Sequence, residues 1–188
     1  HLKDTQDHII PLTIQSMSDL YNGYTHYRLS INGMINVGEE YTLYDEHCKR
    51  AVCHYSHIVK TNRFNDEFFY DGNDLGCLYA PAVTTFKLWS PVAYRIQLCL
   101  ESDGKREIYE MERKDRGIYE VRVNKNISGC HYTFMVRTNG QWNETIDPYS
   151  SFCNQNGLAS VVVDPNTLSI PQKIKLKPMK KSNRCDHL

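Results

Sequence analysis

The chain has 188 residues, enough for one large or two modest domains, and its 40% hydrophobic content with 13 tyrosines marks it as globular rather than disordered. Its 22 basic and 22 acidic side chains balance and are scattered, which argues against a nucleic-acid partner, since that needs a clustered basic face. No apolar run approaches the length of a membrane helix, so no membrane partner is expected. No secretory signal is visible at His1, although a start on His rather than Met leaves a removed presequence open. The seven cysteines, Cys48, Cys53, Cys77, Cys99, Cys130, Cys153 and Cys185, are odd in number and irregularly spaced. That pattern predicts reduced thiols in a cytoplasmic protein rather than a disulfide framework.

In chain order, Tyr27 to Ile31 alternates and Asn32-Gly33 turns the chain. Glu40 to Leu43 and Ala51 to Val59 follow as strands, and Asp71-Gly72-Asn73-Asp74 breaks the pattern. Thr84 to Trp89 and Tyr94 to Glu101 are rich in aromatic and branched residues. Asp103-Gly104 then predicts a hairpin into Glu107 to Met111. Ile118 to Val123 alternates, Tyr132 to Arg137 turns at Asn139-Gly140 into Gln141 to Thr145, and Val161 to Val163 is a short apolar strand. No window holds a sustained 3.6-residue stripe, so helices are expected to be minor. The expectation is an all-β chain of two β-sandwich domains, the second immunoglobulin-like. The boundaries predicted are 1–70 for a small N-terminal β domain, 76–168 for the sandwich and 169–188 for a linker-like basic tail.

Chemistry-bearing residues were weighed against their structural reading. His47, Cys48, Cys53, His54 and His57 could supply zinc ligands, but their spacing matches no standard finger. Neighbours on one strand also point to opposite faces, so neither metal nor cofactor is expected. Asp71, Asp74 and Asp147 sit beside Gly or Pro, where Asp favours turns for its own reasons. No nucleophile motif and no paired carboxylates suited to glycoside hydrolysis are visible. Aromatic side chains are the better candidates, because sugar rings stack on flat apolar faces. Trp142, flanked by Gln141 and Asn143 beyond the Asn139-Gly140 turn, either stacks on sugar or packs on a neighbouring domain. Trp89 shares a strand face with Lys87, opposite Phe86 and Leu88, and either contacts sugar or plugs a core. Two sequons, at Asn126 and Asn143, carry meaning only in a glycosylating secretory pathway, which the expected cytoplasmic location excludes.

Four ordered stretches then point to a family. Tyr70-Asp71-Gly72-Asn73-Asp74-Leu75-Gly76 is followed by Thr85-Phe86-Lys87-Leu88-Trp89-Ser90-Pro91, by Asp147-Pro148-Tyr149-Ser150, and by Asn156-Gly157 with Ser160-Val161-Val162-Val163-Asp164. Together they resemble the N-terminal region of bacterial type I pullulanases, where a small β domain precedes a family-48 carbohydrate-binding module. Ser90 and Ser150 stand where that family usually has Ala. The resemblance implies an accessory region of an enzyme that debranches α-1,6-glucosidic linkages. It implies weak α-glucan binding through Trp142 and Trp89, and docking on a catalytic barrel through Asp147 and Tyr149. It transfers no catalytic residue, because a barrel takes about 250 residues and only a short tail follows Asp164. The barrel would then be a former intramolecular partner, and the chain as it stands would not be an enzyme. A stand-alone protein-interaction module is the competing expectation.

The tail suggests a cause. Arg184 to Leu188 and a stop can be encoded AGA TGC GAT CAT TTA TGA. Shifted by one base, the same letters read Asp-Ala-Ile-Ile-Tyr, the start of the family's first barrel strand, as a frameshift just after Asn183 would produce. The nucleotides beyond Ser182 test that expectation.

Overall fold

The computed structural model describes residues 1–168, so the basic tail and the proposed frameshift lie outside the described residues. The first part forms β1 (Leu2–Lys3), β2 (Ile9–Ile10), β3 (Leu12–Asp19), β4 (Thr25–Ile31), β5 (Thr42–Tyr44) and β6 (Arg50–Val52). Four of these make an antiparallel sheet in the order β2-β1-β5-β6, while β3 and β4 pair as a separate hairpin. A single helix, α1 (Asn62–Phe68), follows, capped by the Thr61 hydroxyl accepting from the Phe64 amide at 3.2 Å. It buries Phe64 and Phe68, one turn apart, on the same side.

Beyond it lie β7 (Gly76–Leu78), β8 (Thr84–Trp89), β9 (Arg95–Ser102), β10 (Lys105–Glu110), β11 (Glu112–Arg113), β12 (Ile118–Val123), β13 (His131–Thr138), β14 (Gln141–Thr145) and β15 (Ser160–Val161). One sheet runs β11-β12-β8-β7; the other runs β10-β9-β13-β14, with β15 on β13. They face each other across a core of Phe86, Leu88, Ile96, Leu98, Tyr132 and Phe134. Phe86 and Phe134 each meet the Tyr132 ring edge-on, at 4.9 and 5.9 Å between centroids. Burying each such side chain contributes about 1.5–3 kcal/mol. The fold is an all-β sandwich, as the alternation on β8, β9, β12 and β13 implies. Asp103-Gly104 and Asn139-Gly140 close two-residue hairpins with positive φ at both positions, as those dipeptides favour.

The structure departs from the sequence expectation in three places. Ala51 to Val59 is not one strand: β6 ends at Val52 and Ile58–Lys60 is a 3₁₀ turn. The chain turns away because the Tyr55 hydroxyl reaches back to the carbonyls of Asn36 and Glu39, at 3.0 and 2.5 Å. The first hairpin, absent from the sequence reading, turns at Leu20–Tyr24, and the chain bends again at Gly33 once β4 has ended. Its strand β3 carries a bulge between Ile14 and Ser16, which breaks the alternation that would have revealed it. Finally, Val162 and Val163 continue past the two-residue β15.

Two arginines of the sandwich hold the loop 36–40. Arg137 makes a bidentate pair with Glu40, its closest contact 2.7 Å, and the Gly140 amide donates to the same carboxylate at 3.0 Å. Arg113 donates to the carbonyls of Val37, Pro91 and Ala93 and to the Tyr119 hydroxyl, each within 3.0 Å. Gly38 has φ of +92°, which strains any L residue, and a Cβ there would push aside the Arg113 guanidinium 2.3 Å away.

A second knot ties the sandwich to the segment preceding it. The Asp147 carboxylate, 3% exposed, accepts from the Tyr132 hydroxyl at 2.7 Å and from the Tyr149 amide at 2.9 Å. The Asp147 amide donates to the Ser160 hydroxyl at 3.2 Å. Gly76 lies against this knot with φ of +92°, and a Cβ there would sit 3.1 Å from Tyr149 Cβ and 3.4 Å from Asp147 Oδ2. Two positions earlier, Asp74 accepts from Lys87 Nζ at 2.5 Å and from the Tyr70 hydroxyl.

Gly76→Ala combines forbidden backbone with a tight contact, so it should destabilise the chain by about 1–2 kcal/mol, read from the shift in the urea unfolding midpoint. Lys87, then Tyr70, hold the Asp74 carboxyl below its ordinary value of 3.8. A lowered pKa gives stability that is present above 3.8 and lost as pH falls through it. Asp74→Asn should therefore flatten the loss of stability between neutral pH and about pH 3 by up to about 1 kcal/mol, as for a partly screened pair. Chemical denaturation of both proteins across that range checks it.

Candidate functional site

The outward face of the β10-β9-β13-β14 sheet carries a row of polar side chains, with one indole at its β14 edge. Register places Trp142 beside Arg137, Met135 beside Glu144 and Gln97, and Thr133 beside Cys99. Trp142 and Met135 are half-buried there, while the inward partners Tyr132 and Phe134 fill the core. Glu110 accepts from Arg95 at 2.7 Å and from Gln97 at 2.5 Å. Glu144 accepts from Arg106 at 2.9 Å and from Thr133 at 2.6 Å. The face thus offers a flat apolar ring flanked by fixed donors and acceptors, a combination that suits a hydroxyl-rich ring. Its carboxylates are engaged in ion pairs, which suits binding rather than proton transfer.

Trp89 stands elsewhere. It lies on the outer face of β8, paired with Ile118, and its indole N–H donates to the Phe68 carbonyl at 2.9 Å. The ring is half-buried between α1 and the sandwich, outside the core between the sheets. With Phe64, Phe68, Phe69, Leu75 and Tyr149 it lines an apolar groove of about 340 Å³. Lys87 shares its face as expected, bridging Asp74 and Glu120.

The two residues expected at a docking surface separate. Tyr149 is exposed on the rim of that groove. Asp147 is a correction: its carboxylate points into the sandwich, where Tyr132 and the Tyr149 amide satisfy it, and it presents nothing outward. Burial pushes its pKa up, against the lowering effect of those two hydrogen bonds. Burial, with Asp147 nearby, also pushes the Cys77 thiol up to about 12.

The histidine and cysteine stretch stays spread out. Cys48 is exposed in a positive-φ turn, Cys53 is half-buried, and His54 and His57 line a cleft in the first part. Among the described residues, no three His, Cys, Asp or Glu side chains gather as metal ligands. The six described cysteines are free thiols.

Sequence reasoning missed the polar ladder beside Trp142 and the aromatic groove over Trp89. The ladder was legible in the alternation of β9 and β13, whose outward residues are Arg95, Gln97, Thr133 and Met135. The groove was not, because α1 is too short to show a stripe.

Comparison with known proteins follows this geometry. Residues 74–150 match the family model of carbohydrate-binding module 48, the isoamylase N-terminal domain. The pullulanase of Bacillus subtilis (strain 168) is 34% identical over 119 residues, which are 63% of this chain and 16% of that protein. The crystal structure of pullulanase from Anoxybacillus sp. LM18-11 matches with a TM-score of 0.83 at 31% identity, covering 92% of this chain and 25% of that one. The type I pullulanase of Bacillus subtilis, solved with maltose, matches with a TM-score of 0.81 at 27% identity, covering 93% and 24%. The chain spans about a quarter or less of the length of these relatives, in their N-terminal, non-catalytic part. Residues 74–150 thus match the model of the family-48 carbohydrate-binding module, and with the β unit before them they resemble the N-terminal region of pullulanases.

Proposed function

We propose that this chain serves as the accessory region of an enzyme that debranches α-1,6-glucosidic linkages in pullulan or glycogen, contributing glucan affinity and a docking surface while cutting nothing itself. The observation that carries this reading is the outward Trp142, beside Arg137 and on the same strand face as Glu144, at one edge of a polar sheet face in the segment that matches the family-48 model. A relative solved with maltose supports an α-glucan as the ligand class. The Trp89 groove, rimmed by Tyr149, is the surface for docking a catalytic barrel. Trp89 itself serves that groove better than sugar, since its N–H is already bound to Phe68.

The same reading divides the chain into a unit of residues 1–70 and a module of residues 76–168. In its support, no described strand before Val52 pairs with one after Gly76. A cytoplasmic location also belongs to this proposal, on the strength of the odd cysteine count.

In native gels containing pullulan or glycogen, the chain should be retarded relative to a gel without glucan. Trp142→Ala should weaken that retention about five- to tenfold, the scale of one lost aromatic contact. Retention unchanged by the substitution would move the sugar site elsewhere. No retardation of the parent chain would leave the docking role alone. No release of reducing sugar from pullulan is expected from either protein.

A further inference from the structure

The hairpin of β3 and β4 pairs with no other strand among the described residues. Its cross-strand partners Leu12 and Ile31, Ile14 and Leu29, and Met17 and Tyr27 set six apolar side chains on one face. Thr13 with Ser30, Ser16 with Arg28, and Ser18 with His26 fill the other. The bulge after Ile14 is what keeps this division. With strict alternation Met17 would fall on the side of Thr13 and Ser30, and Ser16 and Ser18 on the apolar side, but the extra residue restores the division.

That face is uncovered: Ile14 is 62% and Met17 63% exposed, and Tyr27 and Ile31 are exposed beside them. At its base Ile31 opens onto an apolar cleft of about 330 Å³, walled by Leu2, Ile35, Tyr41, Tyr55 and Ile58. The two form one continuous apolar surface with a concave end. A lone two-stranded hairpin is marginal in water, so a sequence that bulges to keep one side apolar implies something that covers it.

The chemistry of the face selects the occupant. Five of its six apolar side chains are aliphatic or thioether and offer no hydrogen bond to a sugar hydroxyl; polar atoms on this side are confined to Tyr27 and to Asp19 and Thr25 at the turn end, which bond to each other. Such a face fits the apolar core of a protein interface. The matching pullulanase fold covers 92% of this chain, leaving fewer residues unmatched than the hairpin contains, yet it is only 25% of that relative. Three times as much polypeptide accompanies the same unit there. We propose that the apolar face of β3 and β4, with the cleft at Ile31, docks an apolar surface of the polypeptide that follows the module in a full-length pullulanase. This rests on reading the chain as the accessory region of such an enzyme.

Hydrogen exchange tests it. The 188-residue chain is compared with the same chain joined to the part of Bacillus subtilis pullulanase that follows the matched region, its folding confirmed by pullulan hydrolysis. Amides of residues 12–31 should exchange at least about tenfold more slowly in the joined protein, as for a hairpin gaining cover. The double substitution Ile14→Ser with Met17→Ser should abolish that protection, while Ser16→Ala on the polar face should leave it. Equal exchange in the two proteins would overturn the proposal. So would protection in the 188-residue chain that rises with its own concentration, which would make a second copy the occupant. Protection appearing only with added maltotriose would make it a sugar site instead. Should the joined protein not hydrolyse pullulan, co-sedimentation of the chain with the separately produced remainder decides by the same substitutions. Loss of glucan retention at Trp142 leaves these outcomes unchanged, so failure of the glucan reading and failure of this one are separable.

Discussion

A buried carboxylate organises the module. Asp147 sits 3% exposed between the sheets' ends, and a charge there is tolerable only because hydrogen bonds meet it from several directions. Tyr132 donates from the core side and the Tyr149 amide from its own turn, while the Asp147 amide donates onward to Ser160. Tyr132 is in turn the ring on which Phe86 and Phe134 pack, so the polar knot and the apolar core share one side chain. The tyrosine hydroxyl is pushed up in pKa, by burial first and by the adjacent carboxylate second, and so stays a donor across the ordinary pH range. Any change that frees Asp147 leaves a buried acceptor unsatisfied at a cost of about 1–3 kcal/mol and releases the segments that converge on it.

This knot explains why four separated stretches mark the family. Asp74 of the first binds Lys87 of the second. Gly76 of the first packs on Asp147 and Tyr149 of the third. Asp147 binds Ser160 of the fourth. These residues recognise one another rather than a ligand, each required by a backbone angle, a close approach or a buried charge. A motif of this kind reports the fold with high specificity and says little about where sugar or protein partners bind.

The legibility of the sequence follows the same division. β8, β12 and β14 fall where alternation and turn dipeptides place them, because one buried face and a two-residue turn fix both register and ends. β3 was invisible because its bulge shifts the period between Ile14 and Ser16. α1 was invisible because seven residues give a single apolar pair, Phe64 and Phe68. Tyr149 is exposed and Trp142 half-buried on the outer sheet face, whereas Asp147 was misplaced outward because an Asp before Pro reads as a turn whether its carboxylate faces water or the core. The groove over Trp89 depends on α1 crossing a strand 21 residues away from its Phe68 carbonyl, a relation no local window contains.

The surfaces left over are therefore the informative ones, and their chemistries differ. The face beside Trp142 mixes an indole with charged and amide groups held by their neighbours, so it can exchange water for hydroxyls without leaving a partner unsatisfied. The hairpin face is apolar from Leu12 to Met17, with its polar groups confined to Tyr27 and the Asp19–Thr25 pair near the turn, and gains chiefly by excluding water. The Arg137–Glu40 and Arg113–Val37 contacts fix the first unit against the module, so both surfaces belong to one framework. A ligand at Trp142 and a polypeptide on the hairpin would then be held at a set geometry by two arginine clamps. Those clamps are one partly buried, bidentate ion pair and a set of largely part-buried carbonyl contacts, whose directional hydrogen bonds fix geometry. An accessory region built this way orients what it binds more than it tightens it.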